Sequence, residues 1–173
     1  MAQWTLQEMR TTPSLQLFSQ LCDLLQDAVD NGSSVGFIAP LSTADARDYW
    51  TAALEEVAGG SRVVLIAFER HDLIGCVQLH LTARLNARHR ADVQKLLVHS
   101  QWQNKGLGKQ LLAAIEKVAQ QKGRSLLLAD ARSGGPGERL FTSAGYMKVG
   151  SIPRFQRGPT GDFDSTAIFY RDL

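Results

Sequence analysis

The run Lys95-Leu-Leu-Val-His-Ser-Gln-Trp-Gln-Asn-Lys-Gly-Leu-Gly-Lys109 constrains this chain more than any other feature. A strand-like segment, Val93 to Val98, enters a tight loop carrying Gln103-x-x-Gly106-x-Gly108, and an amphipathic helix follows. Leu107, Leu111, Ile115 and Val118 recur at helical spacing, and Gly123 is a stop signal just past the last turn. A loop that opens a helix leaves the first backbone N–H groups without intrahelical partners, at the positive end of the helix dipole. Glycines let an anion approach that backbone, because a side chain would hold it away. The spacing therefore predicts a diphosphate-binding turn.

Two common nucleotide classes are excluded. A P-loop needs Ser or Thr after Gly-Lys, and Gly108-Lys109 is followed by Gln110. A dinucleotide fingerprint needs a third glycine at position 111, which is Leu111. The spacing instead resembles the coenzyme A loop of the GNAT superfamily of acetyltransferases, Arg/Gln-x-x-Gly-x-Gly/Ala. Glu138-Arg-Leu-Phe-Thr-Ser-Ala-Gly-Tyr146 is similar to that superfamily's next helix and its Gly-aromatic exit, and Ala91 to Val98 is similar to its central strand. The resemblance is closest to the tabtoxin-resistance type, through Gly32-Ser-Ser-Val-Gly-Phe37, Val93-Gln-Lys-Leu96, Val149-Gly-Ser-Ile-Pro153 and Ser165-Thr-Ala-Ile168. It extends over nearly the whole chain, so residues 1–173 are expected to form one N-acetyltransferase domain.

Composition agrees with an ordinary globule: 173 residues, 44% apolar and 21% charged. A net charge of +2 argues against nucleic acid or an acidic membrane surface as partner. No apolar run approaches the roughly 20 residues of a spanning helix, and the N-terminus lacks signal-peptide order. Cys22 and Cys76 stand alone in apolar segments and read as buried thiols in a reducing cytoplasm. The histidines show no metal-ligand spacing, so no metal is expected. A monomer and a homodimer both remain open.

Along the chain, helices are expected from Leu15 to Val29, ending at Asn31-Gly32, and from the capped start Ser42-Thr-Ala-Asp45 to Val57. Arg62 to Phe68 and Leu73 to Leu81 read as a hairpin. Ser125 to Ala131 is a buried strand, Gly137 to Ala144 a short helix and Tyr146 to Ile152 a strand. Gln156 to Phe163 reads as a loop, and Thr166 to Arg171 as the closing strand. This order predicts an α/β fold, a mixed sheet with a parallel centre flanked by helices. Ligands of such sheets bind at the carboxyl ends of parallel strands.

The resemblance implies a direct acetyl transfer from acetyl-CoA to a small-molecule amine, an amino-acid-like or β-lactam toxin in the tabtoxin-resistance case. It implies that the strands ending near Val98 and Ala131 splay apart around the pantetheine arm. Main-chain groups of Leu96, Leu97 and Val98 would pair with that arm, and Val98 N–H would meet the oxyanion. Gln103, Asn104, Lys105, Gly106, Leu107, Gly108 and Lys109 would hold the phosphates, with Lys105 and Lys109 either adding charge or simply facing solvent.

Asp130 is the candidate base or amine anchor: it shares a strand face with Leu126 and Leu128, and a carboxylate beside an apolar strand end suits proton acceptance. The competing reading is an ion pair with Arg132 or a helix cap. Asp92 is a second candidate, on alternation grounds sharing a face with Gln94, Leu96 and Val98; otherwise it is a solvated strand start beside Arg88 and Arg90. Gln94 and Phe37 are candidates for the acceptor pocket. One departure matters. The superfamily often carries a tyrosine where this chain has Phe141, which is expected to pack against the cofactor arm without supplying an acid. A second reading is therefore a non-catalytic acyl-CoA-binding regulator.

Overall fold

The computed structural model describes residues 4–173. Strand β1 (Thr5–Glu8) precedes helices α1 (Leu15–Asp30) and α2 (Thr43–Ala58). The hairpin β2 (Arg62–Glu69) and β3 (Asp72–Leu81) leads to β4 (Arg90–Val98), α3 (Leu107–Gln121), β5 (Leu126–Arg132), α4 (Pro136–Ser143), β6 (Met147–Arg157) and β7 (Phe163–Asp172). Among the described residues the strands form one sheet in the order β1-β2-β3-β4-β5-β7-β6. Among the described residues only β4 and β5 pair in parallel. The expected parallel centre is thus a single pair, because β7 inserts antiparallel between β5 and β6.

Local chemistry sets the helix starts. Ser14 Oγ accepts from Leu17 N–H at 3.2 Å. Ser42 Oγ accepts from Asp45 N–H at 3.0 Å and donates to the Asp45 carboxylate at 2.6 Å, so each residue satisfies the other. Asn31 caps α1, and Gly32 turns the chain away at a φ of 91°.

Two cores sandwich the sheet. Val63, Leu65 and Ala67 face Leu107, Leu111, Leu112 and Ile115 of α3, while Val64 and Ile66 face Leu21, Leu25 and Trp50 of α1 and α2. This double burial explains why β2 reads as a continuous apolar run rather than an alternating one.

Three boundaries differ from expectation. Strand β1 pairs with β2, from Thr5 opposite Phe68 to Glu8 opposite Leu65, although its own residues are too polar to read as a strand. Strand β6 runs past Ile152 to Arg157, because the register shift between Ile152 and Gln156 absorbs Pro153 on a strand that has β7 alone as neighbour. Strand β7 correspondingly begins at Phe163, which shortens the expected loop. Among the described residues no helix is long and apolar enough to cross a membrane.

Candidate active site

The parallel ladder is short. Arg90, Ala91 and Asp92 pair with Leu126, Leu127 and Leu128, and beyond them the strands separate. A cleft of about 700 Å³ opens there, reaching from Gln94 and Leu96 on one side to Asp130 and Phe141 on the other. Its floor at the α3 end is the glycine loop. Asn104 and Gly106 hold left-handed conformations, at φ of 60° and 89°. Gln110 N–H is the first to bond back, to Gly106 O at 3.2 Å. The N–H groups of residues 104–109 meet no protein acceptor among the described residues. They stand at the positive end of α3, the geometry that receives a diphosphate.

Gln103 departs from its expected part. Its N–H is turned inward to Ser100 O at 3.5 Å, and its side-chain Nε2 donates to Val98 O at 3.2 Å. It therefore ties the loop to the strand end, and the free amides begin at Asn104. Lys105 lies over the Trp102 ring at 4.3 Å, and Lys109 lines the cleft. Leu97 and Leu107 are buried in the two cores, which leaves only their main chain available to a ligand. A Cβ at Gly108 would meet Leu140, Leu96 and Val98 at ordinary distances of 3.4 to 3.8 Å. The molecule itself has room for alanine there.

The end of β4 offers a further donor. His99 N–H bonds Ile74 O at 2.9 Å. The alternation of an antiparallel ladder then turns the N–H and C=O of Val98 away from β3, toward the gap beside β5. Since Gln103 takes the carbonyl, the N–H is left facing the cleft.

A bulge overturns the expected alternation along β4. Cys76 pairs with Leu97 and Gln78 with Gln94, so Lys95 and Leu96 together oppose the single residue Val77. Lys95 adopts a φ of 44°. Val93 before the bulge and Leu96 and Val98 after it all pack toward α3, whereas Leu97 packs toward α1 and α2. Asp92 and Gln94 consequently do not share a face with Leu96 and Val98. They lie on the α2 side, with Asp92 Oδ2 3.6 Å from His80 Nδ1 and Oδ1 4.0 Å from Arg90 Nε. Gln94 Oε1 accepts from Arg62 Nη1 at 3.1 Å.

Strand β5 keeps its alternation: Leu127 and Ala129 are buried, so Asp130 faces the α2 side at the cleft wall. Neither structural alternative for it holds. Arg132 pairs with Asp164 at 3.8 Å, and the helix after β5 is capped by Gly135 without a side-chain bond. The surrounding walls push the Asp130 carboxyl above its ordinary 3.8; Lys95 opposes the rise and Asp92 adds to it.

Phe141 is buried and packs on Tyr146 and Phe169, with ring centroids 5.1 and 5.6 Å away, and it lines the cleft. Ser143 lines it too, but its hydroxyl donates to Leu140 O at 2.9 Å. Phe37 borders an adjoining pocket of about 500 Å³, its ring 5.6 Å from Tyr49 and 5.7 Å from Lys95 Nζ. The loop between α1 and α2 is held against β6 by Gln156 Nε2, which donates to Ser34 Oγ at 2.9 Å. Among the described residues no group of three or more His, Cys, Asp or Glu is arranged to hold a metal.

Sequence reasoning missed Lys95, Tyr49, Arg62 and Gln78 as a connected group. Tyr49 Oη donates to Gln78 Oε1 at 2.8 Å, and Arg62 donates to the same oxygen. The available signal was a lysine inside the strand segment Val93 to Val98, which an unbroken strand would not bury readily.

Parallel strands thus part above a row of free amides, with a carboxylate on the facing wall. The acetyltransferase (GNAT) family pattern matches residues 18–146, and the chain belongs to that family. It is an acetyl-CoA-dependent acetyltransferase. Similar folds include the ribosomal-protein-alanine N-acetyltransferase of Brucella melitensis, at 20% identity and a TM-score of 0.78, covering 96% of this chain and 99% of that one. Another is yncA of Salmonella typhimurium, solved with its cofactor acetyl-CoA, at 18% identity and 0.77, covering 99% and 94%. A candidate phosphinothricin N-acetyltransferase matches at 17% identity and 0.76, covering 99% of both chains.

Proposed function

We propose that this chain moves the acetyl group of acetyl-CoA to the primary amine of a small molecule, by direct attack within a ternary complex. The observation that carries the reading is the opening of the β4–β5 ladder after Asp92 and Leu128, which leaves free amides at one end of the cleft and Asp130 at its wall. The amides of residues 104–109 hold the diphosphate, and the main chain of Leu96 to Val98 receives the pantetheine arm like an added strand. The amine nitrogen attacks the thioester carbon, and Val98 N–H donates to the developing oxyanion. The C–S bond breaks, coenzyme A leaves as thiolate, and Asp130 takes the proton released by the amine. Asp92 stands behind Asp130 as a second negative charge that raises its proton affinity.

The tabtoxin-resistance likeness, together with the candidate phosphinothricin N-acetyltransferase of similar fold, supports an amino-acid-like or β-lactam toxin amine as acceptor. Two buried, unpaired thiols support a reducing compartment such as the cytoplasm. The absent hydroxyl at Phe141 favours one rival, an acyl-CoA-binding regulator without catalysis. Calorimetry with acetyl-CoA beside a thiol-release assay over an amine panel separates the two. Binding with acceptor-dependent thiol release is expected; binding without it for every amine points to the regulator, and no binding at millimolar acetyl-CoA refutes both.

A further inference from the structure

The bulge in β4 does more than reverse an alternation. By giving Lys95 a left-handed backbone, it turns this lysine onto the cleft's α2 side. The Lys95 ammonium lies 5.2 Å from the centroid of Tyr49 and 5.7 Å from that of Phe37. The two rings meet edge to face and form a corner around it. Gly36 borders the same corner, where a Cβ would come within 3.8 Å of Nζ. No carboxylate pairs with Lys95 among the described residues.

The other cation nearby is already engaged. Arg62 pairs with Glu56 at 2.9 Å and donates to Gln78 and Gln94. Asp130 influences Lys95 electrostatically without an ion pair forming. An ammonium has three donors, and aromatic faces satisfy its charge but not its hydrogen bonds. A half-enclosed cation with free donors is costly to maintain unless an anion arrives to use it.

We infer that Lys95 is a specificity-determining residue, binding an anionic group of the acceptor while the acceptor's amine is presented to Asp130. The substrate class is then a primary amine that also carries a carboxylate or a phosphonate-type oxyanion. Opposite charges on the two cleft walls orient such a molecule by both its ends, which an uncharged or doubly cationic amine cannot exploit. Burial lowers the Lys95 pKa below lysine's usual 10.5, with Arg62 contributing; a bound anion reverses that direction. The inference rests on the acetyl-transfer reading above.

The test pairs acceptors that differ in one charge. α-, β- and γ-Amino carboxylates and aminoalkyl phosphonates are assayed at pH 8 against the corresponding carboxamides, phosphonate diesters and aliphatic diamines. Wild type, Lys95→Met and Lys95→Arg are compared, with acetyl-CoA affinity measured separately by calorimetry. The expected result is a preference for at least one anionic series. Lys95→Met should raise KM for that series by about 10- to 100-fold, the worth of a hydrogen bond between charged partners. It should change KM for the neutral analogues far less and leave acetyl-CoA affinity unaltered, and Lys95→Arg should retain most of the preference.

Equal use of charged and neutral members overturns the inference. So does a preference that survives Lys95→Met, or acetyl-CoA binding with no anionic amine acetylated. Failure to bind acetyl-CoA removes the parent reading itself, and this one with it.

Discussion

Asp27 of α1 accepts two hydrogen bonds from Ser100, one from its N–H and one from its hydroxyl, each at 2.7 Å. His99 Nε2 approaches the same carboxylate at 3.9 Å. The turn that follows β4 is thereby fastened to a helix on the opposite side of the sheet from α3, and the free amides begin only a few residues later. Asp27→Ala should cost about 2 kcal/mol of stability, the worth of hydrogen bonds to a charged acceptor. It should also weaken acetyl-CoA binding several-fold, because the turn loses its anchor. Thermal denaturation and calorimetry read the two effects, and unchanged binding would show that the loop holds its shape without Asp27.

The two glycines of the loop should respond differently. Gly106 sits at a φ of 89°, so Gly106→Ala strains the backbone by about 1 kcal/mol and shifts the amides, weakening acetyl-CoA by about tenfold. Gly108→Ala meets only ordinary contacts and should change the affinity less. The same calorimetric titration on both variants checks the order, and a larger loss at Gly108 would contradict it.

Asp130→Asn should lower kcat by about 10²- to 10⁴-fold, the usual worth of general base catalysis, with acetyl-CoA affinity unaltered. In wild type the base works only when ionised, and partial desolvation at the cleft wall raises its pKa although the residue stays solvent-exposed. The acid limb of kcat/KM should therefore lie above the ordinary carboxylate value of 3.8. Since Lys95 opposes the rise and Asp92 adds to it, Lys95→Met should move that limb to higher pH and Asp92→Asn to lower pH. A pH profile of the three proteins decides it; a limb indifferent to both changes would mean another group is titrating.

Phe141→Tyr places a hydroxyl where the related enzymes often carry one. Single-turnover acetyl transfer should accelerate, by up to about 10²-fold if proton delivery to the thiolate limits the step. Phe141 is only 5% exposed, so a new hydroxyl that fails to reach the cofactor sulfur would cost stability. A slower or unchanged step would mean that a missing acid is not what limits this enzyme.

The thiols should be silent. Cys22 and Cys76 are 3% and 0% exposed, and burial pushes Cys76 up to about 12. At pH 8 neither should react with a disulfide reagent in the native state, and both should react in guanidinium. Rapid native labelling would indicate local opening of the core beneath β3.

Much of the scaffold was legible because its signals are short-range. The Ser42–Asp45 cap, the Asn31-Gly32 stop, the stripe of α3 and the glycine turn each depend on residues within a few positions of one another. Strand β1 was not, since Thr5 to Glu8 carry no apolar pattern and form a strand only because β2 offers an unpaired edge. The extension of β6 past Pro153 was hidden for a related reason: a proline reads as a strand end until the partner strand supplies a bulge to hold it.

The position of Asp130 at the cleft wall was legible because β5 keeps a strict two-residue period. Asp92 was assigned the wrong companions because alternation across Lys95 assumed a strand without a bulge, and a bulge is a property of two paired strands. By itself the amino-acid order determined a βα turn able to receive an anion, set in an α/β chain, since helix starts, stops and periodicities are written locally. The tertiary structure decided where β4 and β5 part, that Lys95 is turned into the cleft, and that Asp27 anchors the turn from 73 residues away. Those relations arise when distant segments compete to satisfy the same backbone and charges, and no stretch of sequence carries that competition alone.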